Sequence, residues 1–316
     1  MIYPSQDEIV AAAQRIAFGT HRTPVLQSAF LNSRFDTNLF FKCENFQKAG
    51  AFKTRGAVNA VFSLDDSDAD KGVATHSSGN HAQALARAAA LRKIPAYVVM
   101  PENAPRVKVD AVKGYGGIIT FCKPTLEARE STLKKVLVET GAVKIHPYDN
   151  LKVIEGQATA AMELLEQQPG LDIILCPVGG GGLLSGTALA THYFSATTRV
   201  LACEPAGADD AYRSFKSGKL VPSIHPTTIA DGLLTSLGKI TFPIIRKFVD
   251  DIVTVSEESI VEAMRLIFER MKIVVEPSAA VPLAAVLEKK PDVKGKKVGI
   301  ILSGGNVDLR GLLPWQ

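Results

Sequence analysis

From about Gly72 onward the chain alternates short apolar runs with stretches of helical periodicity, and that alternation leaves few folds open. The first strand-like runs are Val73-Ala74-Thr75, Ala96-Tyr97-Val98-Val99-Met100, Ile118-Ile119-Thr120-Phe121 and Val143-Lys144-Ile145. Helical patterns over 82–91, 105–113 and 126–140 separate them, with Pro105 suited to a first helical turn. The alternation resumes with helix 152–167, strand 173–176, helix 183–194 and strand 200–202. After a Pro-rich connection (Pro222, Pro226) come strand 252–255, helices 257–271 and 278–288, and strand 298–302. Strands interleaved with helices in this way build parallel sheets covered on both faces. A chain of 316 residues exceeds the size at which one core keeps growing, so two lobes are expected. Four strand–helix units fit a small lobe over 72–148, leaving 1–71 and 149–316 for a larger one and a cleft between them.

The remaining composition excludes several classes. With 36 basic and 32 acidic residues the net charge is +4, and no basic run or aromatic-basic ladder suggests nucleic acid. No apolar stretch reaches transmembrane length, and the N-terminus lacks a signal-peptide layout. Cys43, Cys122, Cys176 and Cys203 are too far apart for a zinc set and too few for a secreted disulfide framework. Buried free thiols and a cytosolic location are expected. Ser5-Gln6-Asp7-Glu8 reads as a capping box for an N-terminal helix carrying Ile9, Val10, Ala13 and Ile16.

Lys53 lies between the apolar run 39–43 and a helical pattern that opens near Arg55, flanked by Ala49, Gly50, Ala51 and Phe52. A lysine on such a strand-to-helix turn becomes a nucleophile when desolvation lowers its pKa; otherwise it is a solvated residue at a helix start. Three further strand ends carry polar, glycine-rich loops. Gly179-Gly180-Gly181-Gly182 offers consecutive amides at a helix N-terminus, a dianion cradle that matches neither the dinucleotide fingerprint nor a Walker loop. Ser77-Ser78-Gly79-Asn80-His81 places hydroxyls, an amide and N–H groups where a carboxylate can bind, although a plain N-cap serine would look similar. Ser303-Gly304-Gly305-Asn306 follows the last strand. Strand carboxyl ends are where α/β proteins bind ligands. An amine, a phosphate cradle without nucleotide features, a carboxylate loop and a strand-end hydroxyl together suit pyridoxal phosphate.

These motifs, with Ala202-Cys203-Glu204-Pro205, Thr228-Ile229-Ala230-Asp231-Gly232, Glu276-Pro277 and Ser303–Asp308, resemble the fold-type II pyridoxal-phosphate enzymes. The likeness is to the serine racemase and serine/threonine (hydroxyaspartate) dehydratase branch and covers almost the whole chain. It implies a two-lobed, tryptophan synthase β-like α/β fold, each lobe a parallel-rich sheet flanked by helices, with the cofactor in the cleft. By resemblance the large lobe holds the cofactor and the small lobe closes over substrate. The resemblance assigns Lys53 to the cofactor aldehyde, Phe52 to its ring, Asn80 to its hydroxyl, Gly179–Gly182 to its phosphate and Ser303 to its pyridine nitrogen. It places Ser78 opposite Lys53 as a second acid/base, the pair that racemisation requires. Glu204, the Ala208 carbonyl and Asp210 correspond to a site for Mg²⁺ (or Ca²⁺ or Mn²⁺); a solvated acidic helix start is the alternative. Gln83, Tyr115, Lys272 and Asn306 match a nucleotide site at the dimer interface of animal racemases. Ala29 and Ala49 replace hydroxyl residues there, which argues against ATP as an effector. Ala51 stands where many members have Ser, and Tyr148 where animal racemases have Asn.

The implied activity is racemisation and/or β-elimination of serine, threonine or 3-hydroxyaspartate by a homodimer. A plain ammonia-lyase acting on threonine, serine or 3-hydroxyaspartate is the alternative. A cysteine synthase-like β-replacement enzyme and a non-catalytic ligand-binding protein are the rivals. The chain stops shortly after Asp308, so the regulatory domain of biosynthetic threonine dehydratases, and feedback by isoleucine, are not expected.

Overall fold

The computed structural model describes residues 2–104 and 106–308; Pro105, expected to open a helix, lies outside the described residues. Helix α1 (Gln6–Ile16) begins with the expected capping box, the Ser5 hydroxyl accepting from Glu8 N while the Glu8 carboxylate accepts from Ser5 N. It buries Ile9, Ala12 and Ile16. Strand β1 (Val25–Leu26), helix α2 (Ala29–Phe35) and strand β2 (Asn38–Cys43) lead to helices α3 (Lys53–Phe62) and α4 (Asp66–Ala69).

The chain then crosses into the small lobe: β3 (Val73–His76), α5 (Asn80–Arg92), β4 (Ala96–Pro101), α6 (Arg106–Gly114), β5 (Ile118–Cys122), α7 (Leu126–Thr140) and β6 (Val143–Lys144). Its four strands lie in the order β5-β4-β3-β6 and are all parallel. Alanines dominate the buried face of α5 (Ala82, Ala84, Ala86, Ala88, Ala89), which lets the helix approach α3 closely.

The large lobe continues through α8 (Leu151–Gln167), β7 (Ile173–Pro177), α9 (Gly182–Phe194), β8 (Arg199–Pro205), α10 (Asp210–Ser217), α11 (Thr241–Phe248), β9 (Asp251–Val255), α12 (Glu257–Met271), α13 (Pro277–Leu287) and β10 (Lys297–Leu302). Its sheet runs β1-β2-β10-β7-β8-β9, parallel except for β1 against β2. The last strand thus lies between β2 and β7 in the middle of the sheet. Strands β2, β7 and β10 are buried almost throughout, the run of apolar residues that a doubly covered parallel sheet demands. One core lies on the α12–α13 face and another on the α8–α9 face. All four cysteines are free and buried. Among the described residues no helix is long and apolar enough to cross a membrane.

Candidate active site

Because every strand but β1 runs parallel, the loops after β2, β3, β7 and β10 come together at carboxyl ends. The turn that carries Lys53 is stitched to the end of β10. Phe52 N donates to the Ser303 carbonyl (3.0 Å), Gly305 N donates to Gly50 O (2.9 Å), and Ala51 bridges Gly304. Lys53 is the first residue of α3, two residues earlier than its pattern suggests. Its half-buried Nζ donates to Pro147 O at 2.8 Å and lies 5.0 Å from the Phe52 ring centroid. Burial draws its pKa down to about 8, with the Glu276 carboxylate pulling partly back.

Arg55, two residues on, is fully buried and anchors this turn. It donates to both oxygens of Glu44 (2.7 and 2.8 Å) and both of Glu163 (2.8 Å each), and Lys42 also pairs with Glu163 (2.6 Å). Two cations thus face two anions, with Thr23 and Thr159 hydroxyls completing the set. A buried charge cluster is tolerated only when balanced and hydrogen-bonded in this way.

The four glycines after β7 are all buried. Gly181, at φ +87°, forms the N-cap of α9, and the amides of Gly179, Gly180, Gly181, Gly182 and Leu183 have no acceptor among the described residues. A row of buried orphan donors at a helix N-terminus fits a phosphate dianion. Packing also demands glycine here: a Cβ on Gly180 would lie 2.3 Å from the Tyr148 ring and one on Gly179 2.9 Å from Leu233 Cα. Asp149 accepts from Lys239 N and Ile240 N (3.1 and 2.7 Å), fixing the segment from which Thr241 donates to Gly180 O (2.9 Å).

On the facing lobe, Gly79 rather than Ser78 is the N-cap residue of α5, and no side chain caps that helix. The Ser78 hydroxyl has no hydrogen-bond partner among the described residues, so the capping explanation for this serine falls away. Ser77 Oγ accepts from Gly79 N (3.3 Å). The His81 ring is buried against the Ile145 carbonyl (3.2 Å), and burial depresses its pKa to about 3, so it is neutral. What His81 can offer a carboxylate is its backbone N–H.

Asn80 is held by two residues. Its Nδ2 contacts both oxygens of Glu276 at 2.9 Å, and its Oδ1 accepts from Asn306 Nδ2 (3.0 Å), which also donates to Ala49 O (2.7 Å). Burial raises the Glu276 pKa to about 7. The Glu276-Pro277 pair stands out in the sequence, but nothing there gives Glu276 a part in the site. Its signal is an acid at the N-cap of a helix opened by proline, beside the Ser303 loop through Glu276 N to Gly304 O (3.0 Å).

A second acidic cluster lies at the end of β8. Glu204, fully buried, accepts from Ala211 N (2.9 Å) and Tyr212 N (2.8 Å). Asp210 is 1% exposed and neither of its oxygens has a partner. Desolvation raises Glu204 to about 9 and Asp210 to about 6. Ala208 is buried in the turn between them. Among the described residues no three His, Cys, Asp or Glu side chains cluster, so this site offers two carboxylates and backbone oxygen. Of the nucleotide-site residues, Asn306 joins the Asn80 network, Gln83 lies one turn along α5, Tyr115 follows α6, and Lys272 caps α12.

The profile described as "Pyridoxal-phosphate dependent enzyme" matches residues 16–304. A beta-hydroxyaspartate dehydratase of Paracoccus denitrificans is 52% identical over the full length of both chains. The crystal structure of serine racemase from Dictyostelium discoideum superposes with a TM-score of 0.92 at 52% identity, covering 96% of this chain and 98% of that one. A T.th. threonine deaminase gives a TM-score of 0.92 at 46% identity, covering 96% of this chain and 99% of that one.

Proposed function

Because this chain belongs to the pyridoxal-phosphate dependent enzymes, of fold type II, we propose that it racemises small β-hydroxy amino acids and eliminates water and ammonia from them. Serine, threonine and 3-hydroxyaspartate are the substrates we infer, since the relatives are named for serine racemase, threonine deaminase and hydroxyaspartate dehydratase. The observation that carries the reading is a pair of candidate proton-transfer groups on opposing lobes: Lys53, depressed to about 8, and the unbonded Ser78 hydroxyl.

The bound cofactor supplies an aldehyde and an electron-withdrawing ring that make the substrate Cα hydrogen acidic. The buried amides of Gly179–Gly182 would hold its phosphate, Phe52 and Asn80 its ring and ring hydroxyl, and Ser303 its nitrogen. The loop Ser77–His81 takes the substrate carboxylate, through the free N–H groups of Ser78, Asn80 and His81 and the hydroxyls of Ser77 and Ser78, with Gly79 N kept on Ser77 Oγ (3.3 Å). Lys53 removes the Cα proton from one face. Ser78 delivers or removes it on the other, which inverts the centre. When the β-hydroxyl departs instead, it takes up a proton and leaves as water, and a water then hydrolyses the released enamine to a 2-oxo acid and ammonia. In this reading the small lobe, 72–148, closes over the substrate and the rest of the chain holds the cofactor.

We also assign a divalent cation, Mg²⁺ in the first instance, to Glu204, Asp210 and the Ala208 carbonyl. The support is the two partnerless oxygens of a buried Asp210 beside a second buried carboxylate. A homodimer is supported by an exposed apolar face on α12, where Val261 and Phe268 stand 53 and 44% exposed. Four reduced, buried cysteines suit the cytosol. Ala29 and Ala49 stand where animal racemases have hydroxyl residues at the nucleotide site, so ATP is not part of this proposal.

Ser78→Ala tests the reading. Formation of D-serine from L-serine, and elimination from D-substrates, should fall at least about a hundredfold, while elimination from L-serine or L-3-hydroxyaspartate falls much less. Chiral chromatography and 2-oxo acid release measure both. Equal losses in all rates would make Ser78 a substrate-binding residue only. No loss would leave a plain ammonia-lyase.

A further inference from the structure

The geometry points to a latch between the lobes: Lys108 of α6 forms an ion pair with Asp231 across the mouth of the cleft, holding the small lobe closed over it. Lys108 is a small-lobe residue with only 14% of its side chain exposed, drawn over to the large lobe; Asp231 is half exposed at the rim. Asp231 opens a short 3-10 turn that is fixed from below. Gly232 N donates to Ser278 Oγ (3.1 Å), and the next residue, Leu233, lies against Gly179. On the other side, α6 packs on α5, the helix that the Ser77–Gly79 loop leads into and that begins at Asn80. The pair therefore couples the position of the substrate-side loop to the wall of the glycine loop. Lys108 and Asp231 both act electrostatically on Glu276, which holds Asn80, so the latch and the Asn80 contacts belong to one closed arrangement.

Two other cross-lobe contacts, Asn80–Glu276 and Lys53–Pro147, lie inside the cleft. Of these three the Lys108–Asp231 pair is the most exposed, the other two being part-buried, and an ion pair so placed weakens with salt. It is a positioning device. Closing over substrate rests on the cleft being the reaction site, but the latch itself can be read without turnover.

The experiment compares holoenzyme of the parent, Lys108→Gln, Asp231→Asn and the exchanged pair Lys108→Asp/Asp231→Lys. Amide hydrogen exchange is followed over 106–114 and 77–82, with steady-state kinetics alongside. Each single change should speed exchange in both segments and raise KM about fivefold, with kcat within about twofold. Salt raised to about 0.5 M should do the same to the parent and little to the single variants. The exchanged pair should restore parental exchange and KM. A parent whose exchange ignores salt, or an exchanged pair no better than the single changes, overturns the latch. Should no hydroxy amino acid turn over while the exchange pattern follows this order, the latch stands and the substrate reading fails.

Discussion

Lys53 is held where burial works against its own charge, at the head of a helix whose next turn is pinned by the buried Arg55 cluster. Lys53→Ala should abolish the visible absorbance of bound cofactor and all turnover while the melting curve stays cooperative; turnover within tenfold of the parent would sink its assignment. Only the neutral amine attacks an aldehyde, so uptake of cofactor by the apoprotein should accelerate with pH and level off above about 8. The Glu276 anion holds the Lys53 pKa up, so Glu276→Gln should move that midpoint down. Stopped-flow absorbance measures it, and an upward shift contradicts the coupling. The strand-end loops that carry Lys53, Ser77–His81 and Gly179–Gly182 were legible in the sequence because strand, turn and helix signals surround each of them locally, whereas a part for Ser78 came only from the family resemblance. Glu276 was not legible, because its meaning comes from Asn80, 196 positions away. The inward turn of the His81 ring was not legible for a related reason: alternation locates a loop, but not which way a helical side chain turns.

At the scale of elements, the glycine loop and the three helices around it are packed to contact. A Cβ on Gly156 of α8 would lie 2.5 Å from Arg55 O, and one on Gly186 of α9 2.6 Å from Ala158 N, so α3, α8 and α9 meet backbone to backbone. Gly180→Ala must displace the Tyr148 ring, and overpacking of this kind costs about 1–3 kcal/mol. Cofactor affinity should fall roughly tenfold or more, as read by absorbance titration; unchanged affinity would mean that the loop tolerates a side chain where phosphate is placed. The β8–α10 junction makes a pH-dependent prediction. Glu204 and Asp210 have folded pKa values raised above their ordinary ones of 4.5 and 3.8, so between those values and about 9 the folded chain holds more protons than the unfolded one. Without a cation the fold therefore loses stability as pH rises through that window. Mg²⁺ or Ca²⁺ added to chelator-treated protein should raise Tm more at pH 8 than at pH 6. At a hundredfold excess over its Kd the gain is about 2.7 kcal/mol. Asp210→Asn should remove the response, and a variant that still responds places the metal elsewhere. The long strands and helices were readable from periodicity, whereas β1, α2, α10 and α11 have only two, seven, eight and eight residues and were not anticipated as elements. Helices this short owe their existence to tertiary packing rather than to their own pattern.

At the scale of the molecule, two parallel sheets and the carboxyl ends of their strands were implied by alternation alone, but the contacts that join the lobes were not. Those contacts pair single charged or amide residues far apart in the chain, and nothing in local periodicity marks them. Val261 and Phe268, seven residues apart on α12, share one exposed face of that helix, while Arg270 covers the Phe30 ring of α2 at 4.1 Å. Phe268→Lys should convert a dimer into a monomer in sedimentation; a parent that sediments as a monomer refutes the pairing. The central place of β10 bears on how the protein is made. On the ribosome the small lobe can complete its sheet early, since β3 to β6 all fall within residues 73–144. The large sheet must wait with a gap between β2 and β7 until residues 297–302 emerge. During that interval the Lys53 turn has no Ser303 carbonyl to bind and Glu276 no Gly304, so a nascent chain that stops short of β10 has Lys53 and Ser78 but no site around them. Such long-range closure is slow and exposes strand edges meanwhile. Cofactor capture is thereby tied to the synthesis of β10: a chain able to hold the aldehyde is one that has been translated through Leu302.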